Sequence, residues 1–227
     1  GSSSTSGSEP SHAVTRAELD DPVSRGYEFW LMRMAKDRNP DVILDCLPWA
    51  FPYWIEGFEC VTCFCCPFQD TADYRVAFLD VAKNQWGLEL DWVSASQNEK
   101  KDADLNWVTY TLRPTLDAAG YSDIRIHAPD GDFNPWEVFD RLFEDPNYDK
   151  VIKAVGGHRI DQKDRWPSPD VIDTGKPLWC SEDSVGSGNW GGARDIVRRM
   201  NLLYIKGKIT KMLIWPPVDS CFDGVHC

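Results

Sequence analysis

"DIRIHAPDGDFNPWEVFDRLFEDPNYDKVIKAVGGH", residues 123–158, is the stretch that decides the fold. Ile124 and Ile126 alternate as in a strand, and the run breaks at Pro129-Asp130-Gly131, a turn signal. Pro135 then stands where a helix accepts proline, at the N-terminus of "PWEVFDRLFED" (135–145). "VIKAVGGH" (151–158) is a second apolar run of strand length. Strand, helix and strand in that order make a βα unit on a parallel sheet.

The same alternation extends in both directions. Upstream, 26–40 is helical and stops at Asn39-Pro40; "VILDCLPW" (42–49) is a strand; 71–87 is a helix with a Thr71 cap and a glycine stop. "LELDWVSAS" (88–96) alternates as a strand, and 104–120 is helical with a kink expected at Pro114. Downstream, "PLWCSED" (177–183) and "KMLIW" (211–215) are strands around a helix at 193–207. Six strands alternating with helices leave a doubly wound sheet or a (β/α)8 TIM barrel, and both bind ligands at the carboxyl ends of their strands. Six is two short of a barrel, and a polar loop with no strand precedes the first helix. The expectation is therefore a barrel incomplete at its N-terminus.

Composition narrows the function. At 227 residues the chain is one domain with a sizeable core, and its 42% hydrophobic and 26% charged residues are globular. A net charge of −12 argues against nucleic acid and anionic membrane surfaces as partners. No apolar run approaches the ~20 residues of a membrane span, so no stable membrane insertion is expected. Eleven tryptophans serve a core, and flat indoles also suit a pocket for a small ligand. Cys60, Cys63, Cys65 and Cys66 cluster in "CVTCFCC" without the second ligand pair of a zinc site, and read better as a redox-labile or disulfide-linked loop.

The strand ends carry the chemistry. Trp49 follows the first strand, Asn98 and Glu99 the second, His158 the fourth; "PLWCSED" delivers Glu182, and the last strand ends on Trp215. Each glutamate alone reads most simply as a solvated turn residue. Two of them on one rim, beside an amide, an imidazole and indoles, fit glycoside hydrolysis, which needs one carboxyl to protonate the leaving oxygen and another to attack the anomeric carbon. "GSGNWG" (186–191) matches a dinucleotide loop, but no acid follows at ribose distance, so its glycines read as a flexible loop beside Glu182. There is no G-x-S-x-G elbow, and His12 and His158 read as hydrogen-bonding groups, not as partners of a serine nucleophile.

In "SEPSH" (8–12), "RGYEFWLMRMAKDRNP" (25–40), "LPWAFPYWIEGF" (47–58) and "GKPLWCSED" (175–183) the sequence resembles the galactocerebrosidase family, glycoside hydrolase family 59. The resemblance spans the barrel, with 1–25 as a substrate-binding loop region, and no sandwich or lectin domain. It implies a retaining hydrolase that removes β-galactose from galactosylceramide-type lipids in sphingolipid catabolism, without metal or organic cofactor. It further implies a lipid-presenting activator protein and a lysosomal or secreted setting. By the same resemblance Glu99 is the acid/base, Glu182 the nucleophile, and Thr5, Trp49, Asn98 and Trp215 line the galactose pocket. The chain departs from the family at Gln97 and Lys100 around the acid/base, at Arg159 in place of a tyrosine, at Asn189 in place of a cysteine, and at Pro216 in place of an asparagine. Those departures keep two alternatives open: a non-catalytic sugar-binding or scaffold relative, and a retaining barrel glycosidase of other sugar specificity.

Overall fold

The computed structural model describes residues 17, 27–48, 51, 54–55, 69–99 and 104–215. Six strands, β1 (Asp45–Cys46), β2 (Trp92–Ser94), β3 (Arg125–His127), β4 (Ile152–His158), β5 (Leu178–Asp183) and β6 (Ile209–Ile214), form one sheet in the order of the chain. Every neighbouring pair is parallel. A doubly wound sheet reverses its strand order at a switch point. This sheet does not reverse; it is a curled part of a (β/α)8 barrel.

Two-residue alternation divides the side chains between two cores. Val93, Ile126, Val155, Leu178 and Cys180 face outward into the large buried cluster shared with the helices. Trp92, Ala154 and Trp179 form a separate buried cluster of their own, on the inner face of the sheet. The curl brings the two edge strands within reach of each other: the Lys211 ammonium on β6 donates to the Asp45 carboxylate on β1. Asp45 also meets His127 Nε2 at 3.0 Å, and the Lys211 ammonium lies 4.1 Å from the centroid of the Trp179 ring.

Among the described residues the α-helices are α1 (Tyr27–Arg38), α2 (Gln69–Trp86), α3 (Leu105–Trp107), α4 (Arg113–Ala118), α5 (Val138–Glu144), α6 (Pro146–Val151), α7 (Pro169–Asp173) and α8 (Trp190–Gly207). Several differ from their sequence expectation for local reasons. α2 starts at Gln69, so Thr71 is a buried first-turn residue and not the cap, while Gly87 ends the helix at φ +62° as expected. The kink expected at Pro114 becomes a π-helical turn, Val108–Leu112, joining α3 to α4. A widened turn tolerates the proline's missing N–H and its bulky ring.

The helix at 135–145 is a 3-10 turn, Pro135–Glu137, followed by α5, and Asp145 then caps a further helix, α6, by accepting from Asn147 N at 2.8 Å. The glycines at 186–191 are not purely a loop. Asn189 Oδ1 accepts from Gly191 N at 2.8 Å, and this cap starts α8 three residues earlier than periodicity suggests. The strand read at 42–49 contracts to Asp45–Cys46 among the described residues: the Leu44 N–H donates to the Asp91 side chain, while its carbonyl still accepts from Trp92 N, and Pro48 has no N–H to offer a ladder.

Candidate active site

At the carboxyl ends of β4 and β5 the register shifts between Gly157 and His158, and the shift pairs His158 with Glu182. His158 is fully buried. Its Nε2 meets Asp130 Oδ2 at 3.2 Å, and its Nδ1 lies 3.7 Å from Glu182 Oε1. The chain leaves β4 through Arg159 at φ +51°, with Arg159 N donating to Glu182 O at 2.9 Å. This turn carries the Arg159 guanidinium to 3.9 Å from the same Glu182 oxygen and 3.5 Å from Asp132.

From the other side comes the loop after β2. Arg75 on α2, buried, donates to the carbonyls of Ser94 and Ala95 at 3.1 and 2.8 Å, and so fixes the end of that strand. Asn98 N then donates to Pro48 O at 3.0 Å, tying the loop to the exit of β1. Glu99 follows at φ +57°, a backbone conformation that a residue with a side chain adopts only under local constraint. Gly131 permits the approach: a Cβ there would lie 3.3 Å from the Glu99 carbonyl carbon and 2.3 Å from the Phe133 ring. The outcome is a convergence in which one ligand atom each of Glu99, His158 and Glu182 lies within 4.8 Å of the others.

Burial pushes the Glu182 carboxyl above its ordinary value; His158 pulls it down, Glu99 and Asp130 push it up, and Arg159 pulls it down. Burial works to lower His158, yet its hydrogen bond to Asp130 and the charges of Asp130, Glu182 and Glu99 leave it raised. His158 is therefore an imidazolium at acidic pH, a counter-ion beside the carboxylate pair. Three such atoms could in principle hold a metal. A ring that favours a proton and a guanidinium already facing Glu182 make the place better suited to carboxylate chemistry.

Among the residues expected at the rim, Glu99, His158 and Glu182 come together, and Asn98 precedes Glu99 on the same loop. Asn98 is buried, and its Oδ1 accepts no hydrogen bond among the described residues. Trp215 stands at the β6 exit with its N–H on Asp183 O at 2.8 Å, and its side chain is more than half exposed. Thr5, His12, Trp49, Lys100, Pro216 and the four clustered cysteines lie outside the described residues.

The sequence model of glycosyl hydrolase family 59 matches residues 1–227. The chain belongs to that family. Among its relatives, the galactocerebrosidase of Mus musculus is 36% identical over 230 residues, covering 96% of this chain and 30% of that protein. The galactocerebrosidase of Danio rerio is 32% identical over 231 residues, covering 97% of this chain and 32% of that protein. The chain thus spans about a third of the length of these relatives. Among solved structures, SrfJ from Salmonella typhimurium superposes with a TM-score of 0.66 at 16% identity, over 91% of this chain and 52% of that one. The glycoside hydrolase family 30 subfamily 8 xylanase Xyn30A from Clostridium acetobutylicum gives 0.63 at 19% identity, over 89% of this chain and 55% of that one. At such identities the likeness is one of fold.

Sequence reasoning missed three residues of this candidate site. Asp130 reads as turn punctuation in "APDG", and only the register of β3 against β4 places it under His158. Arg75 looks like one more charge on an amphipathic helix; its signal was its place among the apolar positions of α2. Arg159 was visible as a departure, but not as a contact to Glu182.

Proposed function

We propose that this barrel is the catalytic unit of a retaining β-galactosidase acting on galactosylceramide-type glycolipids. The observation that carries the reading is the approach of Glu99 and Glu182 oxygens to within 4.8 Å at the strand ends. Retaining glycosidases set their carboxyls about 5–5.5 Å apart, whereas inverting ones leave about 6.5–9.5 Å for a water. Glu182, braced by His158 and Arg159, attacks the anomeric carbon. Glu99 protonates the departing lipid oxygen and then activates water. Asn98 Oδ1, without a partner among the described residues, would accept from a sugar hydroxyl, with Thr5, Trp49 and Trp215 as further pocket residues. Galactosylceramide as substrate, a lipid-presenting activator protein and a lysosomal or secreted setting rest on the galactocerebrosidase relatives. No helix among the described residues is long and apolar enough to cross a membrane.

One observation favours exchanged roles: the carboxyl with the raised value is the partly buried Glu182, and a raised carboxyl is the usual acid. An aryl galactoside whose leaving group needs no proton separates the two. With it, Glu99→Ala keeps its first step and Glu182→Ala loses it. The opposite pattern exchanges the roles. A folded protein that cleaves neither activated nor natural substrate is a non-catalytic relative.

A further inference from the structure

Two cations, not one, address the same oxygen of Glu182. His158 reaches it from the last residue of β4, and Arg159 reaches it from the residue after, because the left-handed backbone at Arg159 turns the chain back over the strand end. Resting on the assignment of Glu182 as nucleophile, we propose that Arg159 is a positioning residue that holds the Glu182 carboxylate charged and aimed, so that the acidic limit of activity is set by this guanidinium together with His158.

The geometry supports a defined post for the guanidinium. Arg159 bridges Glu182 at 3.9 Å and Asp132 at 3.5 Å, and Arg165 holds Asp132 in turn, through its carboxylate and through its carbonyl at 3.2 Å. Asp132 is thereby anchored by Arg165 and can steer Arg159 without depending on it. The arginine side chain is about one-third exposed, 32%, so its replacement costs little packing. Its planar fork reaches two acids from one position, which a lysine does only one at a time.

The other charges around Glu182 act in known directions. Glu99 from the β2 loop and Asp130 behind His158 at the β3 exit oppose ionisation, and His158 favours it. Asp183, next along β5, is engaged by Arg199 at 3.0 Å and by Gln162, away from this network. Burial already works against the charged form of Glu182, so removing a cation leaves the carboxyl easier to protonate.

The test uses the full chain with carboxyl-labelled glutamate, the Glu182 resonance being assigned by its disappearance in Glu182→Gln. Its titration is followed in wild type, Arg159→Met, Arg159→Gln and Arg159→Lys, alongside kcat/KM on an aryl β-galactoside across pH. In both neutral variants the midpoint of Glu182 moves up, and Arg159→Lys restores part of the difference. The acidic limb of kcat/KM moves with it, giving a loss of roughly three- to tenfold there and little change at the top of the profile. A midpoint unmoved in both neutral variants overturns the proposal, as does an equal loss at every pH. Absence of hydrolysis in the wild type counts against the galactosidase reading instead, and the carboxyl titration still decides whether Arg159 governs Glu182.

Discussion

The most consequential single contact lies one layer behind the glutamates. Asp130 and His158 are both essentially removed from water, at 1% and 0% side-chain exposure. Burial alone would raise Asp130, but its hydrogen bond and charge interaction with His158 leave it lowered from 3.8, while His158 is raised from 6.5. The stability that His158 gains is complete below 6.5 and is lost as pH climbs through its raised value. That of Asp130 is complete above 3.8 and is lost as pH falls through its lowered value. The two windows overlap under mildly acidic conditions. Asp130→Asn is expected to destabilise the fold by about 3 kcal/mol, because it strands a buried imidazole. Urea unfolding at several pH values checks this, with the gap to wild type widest between 3.8 and 6.5. A gap that is constant across pH would mean the pair is not ionic.

At the scale of elements, the site depends on how β2 is ended. Arg75 caps the strand's carbonyls from a helix and is sandwiched by aromatic rings, its guanidinium 5.0 Å from the Phe51 centroid and 5.2 Å from that of Trp107. Burial lowers its pKa to about 10, so it stays charged in the neutral and acidic range. Arg75→Met keeps the apolar stem and leaves the Ser94 and Ala95 carbonyls without this donor. The expected cost is about 2–3 kcal/mol by chemical denaturation, with a fall in kcat larger than any change in KM as the Glu99 loop loses its footing. Beyond β5, Asn189→Ala removes the cap of α8 at a cost of about 1 kcal/mol. Thermal unfolding checks it, and unchanged stability would mean the Asn189 cap contributes nothing. The element pattern was legible in the sequence because runs of period two lead into the candidate residues: His158 closes β4, Glu182 is next to last in β5, and Asn98-Glu99 sit on the loop after β2. Cap positions and the π turn before Pro114 were not, since they depend on which carbonyl a side chain meets.

Across the whole molecule, the curl of the sheet is what lets residues from opposite ends of the chain share an interior. Asp45 joins Lys211 from β6 and His127 from β3, over the packed indoles of Trp92 and Trp179, whose centroids are 4.6 Å apart. Asp45→Ala leaves the Lys211 ammonium without its counter-ion and His127 Nε2 without its partner, and is expected to cost about 3 kcal/mol, read by the tryptophan fluorescence of that interior during unfolding. Periodicity alone left a barrel and a doubly wound sheet open, because strand order is invisible to it; the resemblance to family 59 decided for the barrel, and the strand order agrees. The meeting of Glu99 with Glu182 was likewise beyond spacing, since it is the curl that closes the distance between β2 and β5.

That closure is the central claim, and the anomeric outcome tests it most directly. Proton NMR during hydrolysis of an aryl β-galactoside reports which anomer of galactose appears first. Two carboxyls as close as these predict the β-anomer, formed with retention and followed by slow mutarotation. First appearance of the α-anomer would contradict the account.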